Sequence, residues 1–277
     1  MRMATWNVNS VTARLPRLAE WLDLAQPDVL CLQETKCPDD AFPADAATER
    51  GYQVAVHGDG RWNGVAILSR VGLAQVARGF PGQPGYAAPL GEDDEALLID
   101  VAPVPVVEAR ALGATCGPLR VWSVYVPNGR EPESPHYTYK LAWLAALRDA
   151  LAPEVVAGGP FLLVGDFNVA PTDADVWDPA VFVGATHVTG PERAALGELR
   201  ALGLEDVLPR ALKHDTPYTY WDYRAGMFHK NMGMRIDLVY GSGAATSAVK
   251  DAYVDRDARK GKGPSDHAPV VVDLDLP

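Results

Sequence analysis

Short stretches far apart in this chain carry the polar residues that phosphoryl chemistry needs. Ser265-Asp266-His267-Ala-Pro precedes the alternating run Val-Val-Val-Asp-Leu-Asp-Leu, which sets an acid beside an imidazole on a loop at the mouth of a strand. A neighbouring carboxylate holds a histidine in one tautomer and keeps it protonated near neutral pH, ready to donate to a phosphoryl oxygen as its charge grows. Gly165-Asp166-Phe167-Asn168 ends another apolar run, and side chains two positions apart in extended backbone emerge on the same face. Asp166 there suits a general base that takes a proton from water, and Asn168 suits holding the nucleophile or a phosphate oxygen in line. Glu34 directly follows Val29-Leu-Cys-Leu-Gln33, where a buried carboxylate costs several kcal/mol unless a cation or a partner offsets it. A hard cation such as magnesium takes one or two carboxylates and keeps several waters; Asn7 and Asp266 are candidates to complete that sphere, directly or through water. Tyr125 and His267 are candidate donors to the nonbridging oxygens, and Asp237 is a candidate to orient the imidazole. Plainer readings stand beside these: a turn at Gly165-Asp166, and an ion pair of Glu34 with Lys36 or Arg14.

These residues need elements to hold them. Periodicity predicts strands over Met3–Val8, Val29–Gln33, Val65–Ser69, Ala96–Val101, Val121–Val126, Phe161–Val164, Ile236–Tyr240 and Val270–Leu274, and helices over Thr12–Ala25, Tyr139–Leu151 and Arg193–Leu202. Alternating helices and strands imply sheets whose faces are covered by helices. The acids and amides fall at the carboxyl ends of the strands or just before one, on one rim. With no Ser/Gly-rich or Pro-rich linker and the distinctive loops scattered from first residue to last, residues 1–277 read as a single domain.

Bulk properties narrow the class. A net charge of -11, from 25 Lys and Arg against 36 Asp and Glu, argues against a nonspecific polyanion binder held by overall positive charge. A local basic face remains open at Arg256-Asp-Ala-Arg259-Lys260-Gly-Lys262; a solvated loop is the alternative. The amino-terminal residues enter a strand pattern at once, no small-residue cleavage site is present, and no apolar run nears the roughly 20 residues of a membrane span. The expectation is a soluble, cytoplasmic monomer. Cys31, Cys37 and Cys116 form no zinc pattern and fit a reducing compartment as structural residues.

Tyr218-Thr-Tyr220-Trp221-Asp-Tyr-Arg224 through Lys230 to Met234-Arg235 sets aromatic and thioether groups among basic ones without a periodic stripe. This suggests a surface that contacts phosphates while inserting a wedge into a base stack or lining a pocket for a base-less sugar. The alternative is that Tyr220 and Trp221 pack the end of a sheet. Taken in order, Trp-Asn7-Val-Asn9-Ser, Leu-Gln-Glu34-Thr-Lys36, Asn63-Gly-Val-Ala, Tyr125-Val-Pro-Asn128-Gly, Gly-Asp166-Phe-Asn168, Tyr-Thr-Tyr-Trp221, Gly-Met-Arg-Ile-Asp237 and Ser-Asp266-His267-Ala-Pro resemble the exonuclease III family of DNA-repair nucleases, within the endonuclease/exonuclease/phosphatase superfamily.

The resemblance implies an α/β, four-layer α/β sandwich with two packed mixed β-sheets flanked by helices, DNase I-like, and magnesium-dependent cleavage of DNA phosphodiesters, with manganese as an alternative ion. It implies Glu34 as metal ligand supported by Asn7 and Asp266, Asp166 and Asn168 as the groups that position and activate water, and His267 with Asp237 as stabilisers of the phosphorane. Tyr125 and Asn128 would contact the scissile phosphate. Asn9, Lys36 and Arg235 are counted with the substrate-binding residues, and Tyr220, Trp221, Met234 and Ile236 map to a pocket for an abasic sugar. Substrates implied are duplex DNA with abasic sites or blocked 3′ ends. Acidic Glu92-Asp-Asp-Glu95 and a long connection from Pro103 to Pro118 depart from the family pattern; the acids are expected to limit processive 3′ trimming by repelling the backbone. The rivals are a phosphatase of inositol phosphates or a sphingomyelinase on the same fold, and a non-catalytic DNA-damage binder. The recognition loop speaks against the first, and the full set of polar site residues against the second.

Overall fold

Side chains in β1 (Arg2–Asn7) and β2 (Val29–Gln33) alternate between two cores, and this alternation builds the layers. The computed structural model describes residues 1–87 and 104–276. The expected strand at Ala96–Val101 and the acidic run Glu92–Glu95 lie outside the described residues. The remaining strands in chain order are β3 (Gln53–His57), β4 (Val65–Ser69), β5 (Ala74–Arg78), β6 (Ala111–Cys116), β7 (Leu119–Tyr125), β8 (Phe161–Asp166), β9 (Glu205–Asp206), β10 (Arg210–Ala211), β11 (Asp237–Gly241), β12 (Val249–Val254) and β13 (Val270–Leu274). The helices are α1 (Val11–Ala25), α2 (Asp45–Thr48), α3 (Pro135–Val156), α4 (Gly190–Ala201), α5 (Met227–Lys230) and α6 (Gly243–Thr246).

Seven strands form one mixed sheet in the order β10-β12-β13-β1-β2-β4-β3, and six form the other in the order β5-β6-β7-β8-β11-β9. Met3, Val29, Cys31 and Ile67 face Leu112, Val121, Val164 and Val239 between the sheets. Trp6, Leu30, Leu32 and Leu68 point the other way, onto Leu18, Trp21 and Leu22 of α1. On the far side Trp122, Phe161, Leu163 and Tyr240 meet Trp143, Leu147 and Leu151 of α3 and Leu196 and Leu199 of α4. The result is the four-layer sandwich. Gln33 bridges the sheets: its Nε2 donates to Ser123 Oγ at 3.0 Å and to Thr5 Oγ1 at 3.0 Å, a satisfied polar peg in an apolar interior. All three cysteines are buried and free. Among the described residues no helix is long and apolar enough to cross a membrane.

Strand direction explains the rim. β1 runs parallel to β2, and β7 parallel to β8, so four carboxyl ends reach one edge. β11 and β13 are antiparallel to β8 and β1, so their leading residues arrive there too, with Asp237 paired to Asp166. Gly165, at φ +139, permits this approach: a Cβ there would stand 2.0 Å from the carbonyl oxygen of Val124.

Two helices start about a turn earlier than the periodicity indicates. α3 begins at Pro135, whose missing N–H costs nothing in a first turn capped by Ser134, and α4 begins at Gly190 behind the Thr189–Glu192 capping box. The stretch from Pro103 to Pro118 is not a plain connection, since β6 lies inside it and pairs with β7 along its length.

Candidate active site

The local backbone at the rim is unusual before any side chain is considered. Asn9, Ser10, Glu34, Lys36 and Asn168 all adopt left-handed φ between 45° and 83°. Such non-glycine conformations cost about 1 kcal/mol or more each and persist where surrounding structure enforces them, typically at functional sites. Hydrogen bonds from Ser10 N to Glu34 O, Thr35 N to Gly64 O and Lys36 N to Asn63 O supply that enforcement.

Asn7, wholly buried at the end of β1, uses both protons of its amide. Nδ2 donates to Glu34 Oε1 at 2.8 Å and to Asp166 Oδ2 at 2.9 Å, while Oδ1 accepts from Asn9 N. Lys36 Nζ lies 2.7 Å from Glu34 Oε2 and donates to Asn9 Oδ1 at 2.6 Å. Burial alone would raise the Glu34 carboxyl, yet the Lys36 charge and the Asn7 hydrogen bond hold it below the ordinary range. The Glu34–Lys36 ion pair considered from sequence is therefore real, and it shares the carboxylate with Asn7. Asn9 Nδ2 donates to Asp266 Oδ1 at 3.0 Å, which ties Asp266 to the cluster through an amide.

Deeper in, Asp166 is pushed up to about 7, chiefly by burial and also by the charges of Asp237 and Glu34. Its Oδ1 accepts from Asn168 N at 2.9 Å. Burial disfavours a charged His267, but Asp237 Oδ2, 2.7 Å from Nδ1, more than offsets it and raises the imidazole to about 10. His267 is thus an imidazolium whose Nε2 faces Asp166 Oδ2 across 3.9 Å. Thr219 Oγ1 accepts from Asp237 N, Trp6 Nε1 donates to His267 O, and Ser265 Oγ accepts from His267 N while donating to Asn7 O. Sequence reasoning assigned no role to Thr219, Trp6 or Ser265; Ser265 could have been found as the hydroxyl opening the Asp-His motif. Tyr125 lies beneath Arg110, whose guanidinium is 4.7 Å from the ring centroid, and burial beside Glu34 keeps its phenol protonated as a donor. Asn128 Nδ2 donates to Asn168 Oδ1 at 3.1 Å.

Glu34, Asp166 and His267 place ligand-type atoms within 4.8 Å of one another. A protonated imidazole offers no lone pair, so the carboxylates, with amide oxygens nearby, are the donors. A partly buried carboxylate and a fully buried one that share one amide, the second raised chiefly by burial and also by like charge, fit a hard divalent cation.

The recognition segment departs from the sequence expectation. Arg235 is buried at 2% exposure and donates to Asp175 at 2.6 Å and to Asp206, so it is a structural ion-pair hub rather than a phosphate contact. Trp221 is buried in the inter-sheet core and edge-packed on Phe228, so it packs the end of the sheets. Met234 and Ile236 form a small apolar cluster with Ala170, Val176 and the partly exposed Tyr220, whose ring lies 4.9 Å from that of His267. Three of the four residues expected to line a sugar pocket therefore share one mostly covered cluster, of which Tyr220 lies beside the imidazole. In the basic run, Arg256 and Arg259 are also buried: Arg256 stacks on Phe228 at 3.9 Å, and Arg259 donates to the carbonyls of Ser265 and Trp221. Lys260 and Lys262 remain as the exposed basic charges there, and the Lys260 ammonium lies 2.7 Å from the exposed Asp257 carboxylate.

Residues 4–267 match the model of the Endonuclease/Exonuclease/phosphatase family. The chain is 30% identical to Exodeoxyribonuclease III of Haemophilus influenzae, with 98% of each covered. Among solved structures it superposes on the 3′-5′ exonuclease NExo of Neisseria meningitidis with TM-score 0.87 and 38% identity over 100% of both chains, and a Neisseria NExo structure is described as a 3′ phosphatase bound to product DNA hairpin. An AP endonuclease from Archaeoglobus fulgidus gives TM-score 0.86 and 31% identity, again over 100% of both chains. Matched in sequence over most of its length and in fold over all of it, the chain belongs to the endonuclease/exonuclease/phosphatase family.

Proposed function

We propose that the protein is a magnesium-dependent DNA phosphodiesterase of repair: it cleaves 5′ to abasic sites in duplex DNA, removes 3′-blocking groups and trims 3′ ends in the 3′-5′ direction. The observation that carries this reading is the facing of a proton acceptor, Asp166, and a proton donor, His267, across 3.9 Å beside the Glu34 carboxylate. With a phosphate seated over that pair, Asp166 takes a proton from water as its oxygen attacks phosphorus and the bond to the departing oxygen breaks. His267, fixed by Asp237, and Tyr125 donate to the nonbridging oxygens, and Asn128 and Asn168 hold the phosphate and nucleophile in line. Glu34 and Asp166, with Asn7, Asn168 and Asp266 in support, would hold magnesium, which when bound would supply charge compensation for the phosphate. Asn9, Lys36 and Tyr220 line the approach for the DNA. The whole site comes from one chain, which supports action as a monomer.

The relatives weight this reading toward 3′ ends. Identity is 38% to NExo, a 3′-5′ exonuclease and 3′ phosphatase, against 31% to the archaeal AP endonuclease. The covered state of Met234 and Ile236 points the same way, since little apolar floor is open to a base-less sugar. The test uses end-labelled duplexes carrying an abasic-site analogue, a 3′-phosphate at a nick, or no damage, with magnesium, manganese or EDTA, and with Asp166→Asn alongside. Metal-dependent release of 3′-phosphate and 3′ laddering, lost in the variant, supports 3′-end repair. A single nick 5′ to the lesion adds the abasic activity. No cleavage of any duplex, with turnover of inositol phosphates, overturns the proposal.

A further inference from the structure

Lys140 of α3 and Glu192 of α4 are both wholly buried and ion-paired under the candidate site. A buried pair of this kind is weak support for stability, because desolvation offsets much of its attraction. Its contacts indicate another use. The ammonium also donates to Asn168 O at 2.6 Å and to Asn128 O at 3.1 Å, the carbonyls of the two residues whose side-chain amides pair above it. Glu192 Oε1 accepts from Thr186 Oγ1 at 2.8 Å and from His187 N at 3.0 Å, and His187 Nδ1 lies 2.6 Å from Asn168 O. Gly129, at φ +88, lets the turn after β7 settle onto this group, since a Cβ would stand 2.9 Å from both Lys140 Cδ and Thr186 Oγ1.

We propose that Lys140 and Glu192 are positioning residues: the pair clamps the turns after β7 and β8 to each other from below and so sets the spacing of the Asn128 and Asn168 amides over the reacting phosphate. The inference rests on the proposed phosphodiesterase reading. The clamp acts through geometry, because the pair is neutral as a unit and touches no substrate.

The experiment compares wild type, Lys140→Met, Lys140→Arg and the double variant Lys140→Met/Glu192→Gln on the 3′-phosphate and abasic duplexes. Lys140→Met strands a buried carboxylate and is expected to unfold readily; the double variant restores neutrality and keeps the fold testable. Expected is a double variant that melts near wild type while kcat falls about 10²-fold and KM moves little, the signature of misplaced groups, with partial recovery in Lys140→Arg. A folded double variant with wild-type kcat overturns the clamp. The independent measurement is the NMR spectrum of the free protein. Shifted and broadened side-chain amide signals of Asn128 and Asn168 in the double variant support the clamp, and unchanged signals overturn it whatever the substrate proves to be. Loss of activity on both duplexes in the wild type itself counts against the functional reading alone.

Discussion

Glu34 and Asp166 accept hydrogen bonds from the same amide nitrogen of Asn7, yet their carboxyls are displaced in opposite directions. Glu34 sits at the rim with Lys36 against it and is held below the usual range; Asp166, dry and flanked by Asp237 and Glu34, is pushed up to about 7. One functional group is thus prepared in two ways, as a carboxylate held ionised, which suits anchoring a cation, and as one poised to exchange a proton near neutrality. Environment, not side-chain identity, divides the labour.

Removing the deep member breaks the comparison most severely. Asp166→Asn is expected to lower kcat by about 10³-fold on every DNA substrate while leaving binding of intact duplex nearly unchanged, as read by single-turnover cleavage and fluorescence anisotropy. Asp237→Asn comes next, because it strips the imidazolium of its partner. Breaking this buried pair should cost about 3 kcal/mol in denaturant melts. Its pH dependence has a definite sign. His267 is raised from 6.5 to about 10, so its stabilisation is complete below the lower value and is lost as pH rises through the upper one. The variant should lose the fall in stability that wild type shows between about pH 6.5 and 10, and an identical slope across that window would contradict the assignment.

Asn7→Ala sharpens the comparison by cutting the shared amide. Magnesium affinity by calorimetry should drop about 10- to 100-fold, in line with the loss of a group that orients metal ligands. Smallest is Lys36→Met. It frees Glu34 Oε2 and removes a competing charge, so metal affinity should tighten by no more than about fivefold while KM for DNA rises. Unchanged values for both would remove Lys36 from the site's electrostatics.

The sequence pattern revealed most of what was continuous. β2 and β4 have the limits that their apolar runs suggest, because strands buried on both faces carry no competing signal, and β13 has those of its Val-rich run. β5 escaped notice because it is an exposed edge strand, and β6 because its small residues hide it; a Cβ at Gly113 would lie 2.6 Å from the Trp122 ring. The rim acids were legible because each lay at one end of a strand or in a loop next to one. Arg235 was misread because its partners Asp175 and Asp206 lie 60 and 29 residues away, so a buried hub looked like a basic loop residue. Lys140 and Glu192, 52 residues apart, read as ordinary polar positions of two helices until tertiary packing brought them together.

β1 acquires its neighbour β13 only through pairing of Arg2–Thr5 with Val270–Asp273, and Asn7 O receives Ser265 Oγ from 258 residues downstream. During translation, at roughly 5–20 residues per second, the first strand therefore waits many seconds for its last partner. Until the segment around His267 has left the ribosome, the nascent chain holds its acids without the imidazole that works with them. A nuclease built in this order stays mute until the segment that carries His267 emerges and β13 pairs with β1.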